Sequence, residues 1–248
     1  MSPIGSSTVL ISSNKAENGY EVFGDDNTDY DGDSWFEGAI MTKHNGKYYL
    51  QYAVPGTEMR SYCDGYYVSD SPTGPFTLGP NSPVTSKQTG FVTGTGHGNL
   101  FQDLHGNWWK IDCVTISVKH MFERRLAIFP AAFDEDGLLY SNTEFGDYPQ
   151  YIPGVKSDPI NDNSPGWNLI SFNKPVTASS TVDPAYAPSN ATDENIRTSW
   201  SAKSGDAGEW LQIDLEESKT VNAIQVNFGN YGSTYYDADQ TRPVKFSY

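Results

Sequence analysis

Basic residues are scarce: 16 Lys and Arg stand against 31 Asp and Glu, a formal net charge of -15 at pH 7. A surface of that sign repels phosphate backbones and anionic bilayers, which argues against nucleic acid as a partner. No run is apolar and long enough to cross a bilayer as a helix, so membrane insertion is not expected. Cysteine is nearly absent. Cys63 and Cys113 stand alone in the first half, without metal-ligand spacing, and leave either two free thiols or one bridge. Long amphipathic helices are missing too, because apolar residues recur at a period of two rather than 3.6. The opening MSPIGSSTVLISSN has neither the basic start nor the apolar run of an export signal, so these residues do not name a compartment. Aromatics (14 %), Gly (23) and Pro (15) are plentiful and charge is low (19 %), the balance of a turn-rich β protein.

Alternation is clearest in KYYLQYAV (47–54), GYYVSD (65–70), NWWKIDCVTI (107–116) and RLAIFPAAF (125–133). HNG, DSPTGP, LHGN and DEDG separate these runs as turns. HNGKYYLQYA (44–53) and LHGNWWKIDC (104–113) echo each other: a Gly turn, two aromatics, then a strand. DEDGLLY (134–140) adds a third turn and strand. Units of this kind at a spacing of several tens of residues suggest propeller blades. From residue 153 to 166 the chain becomes PGVKSDPINDNSPG, a linker composition with little to bury. Beyond it, Ser- and Thr-rich turns join two expected strands, WLQIDL (210–215) and VNAIQVNF (221–228). The chain stops at RPVKFSY, inside a strand-like run.

One carboxylate has unusual neighbours. Glu37 lies between Trp35-Phe36 and Gly38, at the mouth of a strand. An acid that must keep its proton near neutral pH needs an apolar wall, and aromatic neighbours can supply one. The same placement also suits a turn glutamate capped by backbone amides. His97, in GTGHGN, sits among glycines that let backbone or ligand approach closely. No Lys-Ser/Thr follows it, so the loop is not a P-loop. Arg124 and Arg125 open a strand, and a guanidinium fork there can bind adjacent hydroxyls or remain a surface pair. Trp108 and Trp109 are adjacent and must face opposite sides of a strand, so at least one belongs to the core. The acids of GDDNTDYDGD (24–33) read as a solvated loop without regular calcium-ligand spacing.

WFEGAIMTKHNGKYYLQYA (35–53), DGYYVSDSPTGPF (64–76), GTGHGNLFQDLHGNWW (94–109) and RRLAIFPAAFDEDG (124–137), in that order, resemble the family 43 glycoside hydrolases. These are five-bladed propellers acting on arabinose- and xylose-containing glycans. Ala39 departs from the family's usual Pro after Glu-Gly. NKPVTASST, NATDENIRTSWSA and EWLQIDLEESKTVNAIQV resemble a discoidin-type (F5/8 type C) module, a jelly-roll sandwich that commonly binds sugars. The resemblance implies an all-β chain: partial propeller blades over 1–154, a linker over 155–170 and a partial β-sandwich over 171–248.

It further implies an inverting glycosidase of arabinofuranosidase or xylosidase type, acting outside the cytoplasm on a poly- or oligosaccharide. A lectin-like propeller that binds glycans without cleaving them is the alternative. Glu37 takes the family's general-acid position. Trp35, Phe36, His97 and Arg124 become substrate contacts, with Arg124 facing inward. His97 also matches a histidine that in some members supports calcium through water. In the second half, Asp193 is the carboxylate of a structural calcium loop, or else an Asx turn. No cofactor is needed for the chemistry. The family's general base and the aspartate that tunes its acid should lie upstream of Glu37, and none of the acids at 24–33 is assigned to either role. The chain is therefore expected to begin partway through a propeller and, by itself, to turn over little substrate.

Overall fold

The computed structural model describes residues 5–115, 124–144, 146–148, 152–161 and 168–228. Two four-stranded antiparallel sheets dominate, each in simple sequential order. The first holds β1 (Glu37–His44), β2 (Lys47–Val54), β3 (Cys63–Ser69) and β4 (Thr77–Leu78). The second holds β5 (Thr93–Gln102), β6 (Trp108–Thr115), β7 (Arg124–Phe133) and β8 (Leu139–Ser141). Four up-and-down strands per sheet is the build of a propeller blade. The turns are those the sequence demands. Asn45 and Gly46, both at positive φ (45° and 84°), close the β1–β2 hairpin as a type I′ turn.

The core sits between the two sheets. Tyr49, Tyr66, Val84, Leu100, Ala131 and Leu139 form one buried cluster, with Val68, Trp108 and Phe133 packed on it. Polar ends of the buried aromatics stitch the blades together. The Tyr49 hydroxyl donates to the Gly137 carbonyl at 2.7 Å. The Tyr66 hydroxyl donates to Asn81 Oδ1 at 2.5 Å, and Asn81 Nδ2 donates to the Leu139 carbonyl at 2.7 Å. Each such side chain gains about 1.5–3 kcal/mol from burial and satisfies its polar tip at the same time. A second cluster, Tyr52, Val54 and Cys63, gathers Ile11, Tyr20, Phe36 and Tyr67 beneath β1. Cys63 and Cys113 are unbridged.

In the second half, β9 (Val176–Ala178) pairs antiparallel with β10 (Leu211–Ile213). The expected strand at 221–228 does not form a ladder. Val221, Ile224, Val226 and Phe228 are exposed there, at 50–84 %. Alternation alone does not make a strand, since the backbone donors also need a neighbour to pair with. RPVKFSY lies outside the described residues. Part of the expected linker is pinned to the second sheet: Ser157 N–H donates to Asn107 Oδ1 at 2.7 Å, and Asn107 Nδ2 donates to the Val155 carbonyl at 3.0 Å. The loop after Thr192 docks on the segment leading into β5. Gly90 N–H donates to the Glu194 carbonyl at 2.8 Å, and Ile196 N–H to the Gly90 carbonyl at 3.2 Å. No helix among the described residues is long and apolar enough to cross a membrane.

Candidate active site

Glu37 is the first residue of β1, opposite Ala53 of β2. Between Glu37 and Ile40 the register slips, so β1 carries one extra residue against β2. Such a bulge bends a strand and re-aims the side chain beside it. Gly38 accommodates it at φ 62°, a conformation that costs other L-residues about 1–2 kcal/mol. A side chain at Gly38 would also collide with its neighbour, because a Cβ there would lie 2.8 Å from His97 Cγ. The Glu-Gly pair is therefore a geometric unit: the glycine lets the carboxylate turn out and the His97 ring close in.

The Glu37 carboxylate is 38 % exposed and is held at one oxygen. Tyr62 donates its hydroxyl to Glu37 Oε1 at 2.8 Å, and His97 Nδ1 stands 3.7 Å from the same atom. Burial, then the bond to Glu37, pushes the Tyr62 phenol well above its ordinary range, so it stays a donor. The Tyr62 ring crosses β5 at Gly96, where any Cβ would lie 2.7 Å from ring Cε1. His97 sits on a second bulge of β5, at φ 58°, with its ring half exposed.

Arg124 opens β7 opposite Thr115 and donates from Nη1 to Thr57 Oγ1 at 2.8 Å. Thr57 lies on the connection between β2 and β3 that also carries Tyr62, which places Arg124 on the site side of the sheet. Arg125, by contrast, is exposed. A cavity of about 320 Å³ adjoins the site, lined by Gly38, Ala39, His97, Asn99, Asp112 and Leu126 among others. A larger one, about 470 Å³, lies against β8 and contains none of the site residues.

The structure thus brings Glu37, His97 and Arg124 to one end of the two sheets. Trp35 stays 64 % exposed beside them. Phe36 instead stacks on Tyr52 at 4.3 Å and belongs to the cluster beneath β1. Trp109 is buried, and Trp108, partly buried, packs on the core cluster with its ring centroid 5.3 Å from that of Phe133. Asp193 has both oxygens engaged: Oδ1 accepts from Asn195 N–H at 3.0 Å and Oδ2 from the Thr198 hydroxyl at 2.6 Å. Such an Asx turn satisfies the loop's own amide and hydroxyl donors. Among the described residues no three His, Cys, Asp or Glu gather into a metal site. Three acids of 24–33 are spent on loop contacts: Asp25 accepts from Arg60 N–H and pairs with Arg197, Asp26 pairs with Arg60, and Asp29 caps Gly32 N–H.

Sequence reasoning missed Tyr62, Asp64, Lys110 and Asp112. Tyr62 carries no local signal, since an aromatic beside a strand reads as core. Lys110 and Asp112 did carry one: two charges at i and i+2 share a face of an otherwise apolar strand.

Residues 13–139 match the family model for glycosyl hydrolases family 43, and residues 175–239 match that for the F5/8 type C domain. The Beta-D-galactofuranosidase xynD of Aspergillus niger is 38 % identical over 69 residues, 28 % of this chain and 20 % of that protein. A Xylosidase/arabinosidase of Bacteroides ovatus is 30 % identical over 107 residues, 42 % of this chain and 30 % of that protein. The chain therefore spans less than a third of the length of either relative. Among solved structures, an Endo-1,4-beta-xylanase from Bacteroides thetaiotaomicron is 31 % identical, covering 44 % of this chain and 38 % of that one at a TM-score of 0.40. The family 43 match takes in Glu37, Tyr62 and His97 and extends over more than half of the chain, which accordingly belongs to the glycosyl hydrolases of family 43.

Proposed function

We propose that this chain carries the proton-donating side of a site that hydrolyses O-glycosidic bonds in arabinose- or xylose-containing glycans, with Glu37 as general acid. The observation that supports this is the Glu37 carboxyl itself. It is partly exposed on a bulge, tethered at Oε1 by Tyr62 and faced by His97, and its neighbours Gly38 and His97 line a cavity. Glycoside cleavage needs an acid fixed in place yet reachable by the leaving oxygen, because an ill-placed proton donor gives little rate. With Oε1 occupied, Oε2 is the oxygen left to protonate that leaving group.

Arg124 and Trp35 suit substrate contact, one by its fork of donors and the other as a stacking face for a sugar ring. The names of the two relatives point toward furanose and pentose sugars. We assign a general base to none of the described acids. Inversion rests on the family resemblance alone. The F5/8 type C segment would bind a glycan near the scissile bond, and any calcium at Asp193 would be structural. A polymeric substrate suits export to the periplasm or the medium.

The test is hydrolysis by this chain, and by any longer natural polypeptide that carries it, alongside Glu37→Gln. Aryl arabinofuranosides and xylosides with good leaving groups would be compared with natural oligosaccharides. Loss on natural substrates with much milder loss on activated ones is expected, since a good leaving group needs little protonation. Glycan binding without release from any substrate, in every form of the protein, would overturn the proposal in favour of a lectin-like scaffold.

A further inference from the structure

We propose that Asp64 is a positioning residue: it clamps the bulged backbone at His97 to the neighbouring sheet and so holds the His97 ring against Glu37. Its relevance to catalysis rests on the glycosidase reading, but its geometry does not. The argument starts from unpaired donors. The register of β5 against β6 slips between Gly96 and Asn99, and a bulge leaves amide groups that the ladder cannot satisfy. Asp64, on β3 of the other sheet, takes them up. Its Oδ1 accepts from His97 N–H at 2.8 Å and its Oδ2 from Gly98 N–H at 3.3 Å.

The carboxylate is itself supported from below. Lys110 Nζ lies 2.5 Å from Asp64 Oδ2 and 2.9 Å from Asp112 Oδ1. Asp64, Lys110 and Asp112 are 1 %, 0 % and 1 % exposed, so two acids and one ammonium are removed from water together. Such a cluster is a poor device for stability alone, because desolvation offsets most of the attraction, and apolar residues of similar volume often do as well. What apolar residues cannot do is accept the His97 and Gly98 amides. The clamp fixes His97 at φ 58°, a conformation rare for a residue with a Cβ, and leaves its ring 3.7 Å from Glu37 Oε1. Asp112 completes the arrangement at the cavity wall, where its Oδ2 finds no hydrogen-bond partner among the described residues.

Two measurements on the 248-residue chain test this without substrate. First, amide hydrogen exchange of the wild type should show His97 and Gly98 protected about 100-fold or more relative to exposed turn amides, as bonded strand amides are. Exchange of both at loop rates would overturn the clamp. Second, the His97 ring is followed by nitrogen-resolved NMR in Asp64→Asn, with His44 and His105 as internal references. Folded Asp64→Asn with displaced His97 ring signals, and references unmoved, is the expected result; superimposable His97 signals would refute the positioning role. Should that variant not fold, D64L/K110M/D112L removes all three charges together and leaves no buried unpaired ion. It is expected to fold with His97 displaced, and a native His97 signature there would equally refute the role. Glycoside hydrolysis by Glu37→Gln is read separately. Failure of the glycosidase reading would therefore leave the exchange pattern intact, and failure of the clamp would leave the Glu37 assay interpretable.

Discussion

Replacing Gly38 by Ala tests the link between the bulge and the site most directly. Two terms add. The backbone is at φ 62°, where an L-residue pays about 1–2 kcal/mol. The new methyl would lie 2.8 Å from His97 Cγ, 2.9 Å from Cδ2 and 3.2 Å from Nδ1, an overpacking worth about 1–3 kcal/mol. The imidazole cannot slip aside at its tip, because Cγ moves only when χ1 leaves its well. Gly46 supplies the control. It also has positive φ, 84°, but a Cβ there meets nothing within 4 Å, so Gly46→Ala carries the first term alone. Urea and thermal unfolding of both variants should therefore differ by about 1–3 kcal/mol, or roughly 2–12 °C in Tm for a chain of this size. In the double variant Gly38→Ala/His97→Ala, the excess should disappear, leaving only the backbone term. If Gly38→Ala is no more destabilising than Gly46→Ala, or if the excess survives removal of the imidazole, the claim that Glu-Gly and His97 form one geometric unit is wrong.

Four further outcomes follow from particular contacts. Tyr62→Phe removes the donor to Glu37 Oε1 and keeps the ring, so it should cost about 0.5–1.5 kcal/mol of stability. In the glycoside assay it should lower kcat about tenfold, an effect of about 1.4 kcal/mol, with KM little changed; an unchanged kcat would separate Tyr62 from the chemistry. Burial pushes the Asp112 carboxyl up to about 7; the Lys110 charge offsets only part of this, and Asp64 adds a smaller repulsion. The folded state thus favours the protonated acid, and this group's contribution is complete below the unfolded value of about 3.9 and lost as pH rises through about 7. Asp112→Asn should lack that decline, so its Tm relative to wild type should rise between pH 5 and pH 8.5, and a constant difference would contradict the assignment. Phe129 is fully buried, and Phe129→Ala should cost about 3–5 kcal/mol, or roughly 6–20 °C in Tm. Arg197 pairs with Asp25 at a partly exposed site, so Arg197→Ala should cost at most about 1 kcal/mol, and less at high salt; a larger loss would mean the docked loop orders more than one ion pair.

The blades were legible in the sequence because a half-buried strand needs only local instructions: alternation along its length and turn residues at its ends. KYYLQYAV and NWWKIDCVTI became β2 and β6, and Asn45-Gly46 became the turn between β1 and β2. Glu37 and His97 stood out in the sequence for a related reason, since Gly38 follows the first and Gly96 and Gly98 flank the second. The same local rule failed at VNAIQVNF, whose alternation is intact but whose backbone found no ladder. It failed again at Phe36, whose position beside Glu37 suggested substrate while its ring went to Tyr52. What surrounds the carboxylate was decided by tertiary structure alone. Tyr62 reaches Glu37 across 25 residues, Asp64 reaches His97 across 33 and Lys110 across 46. A period of two says which face a side chain takes; it is silent on which charge from another sheet will meet it there. A buried acid is tolerable only where donors from several strands converge, and that convergence exists only once the two sheets have packed.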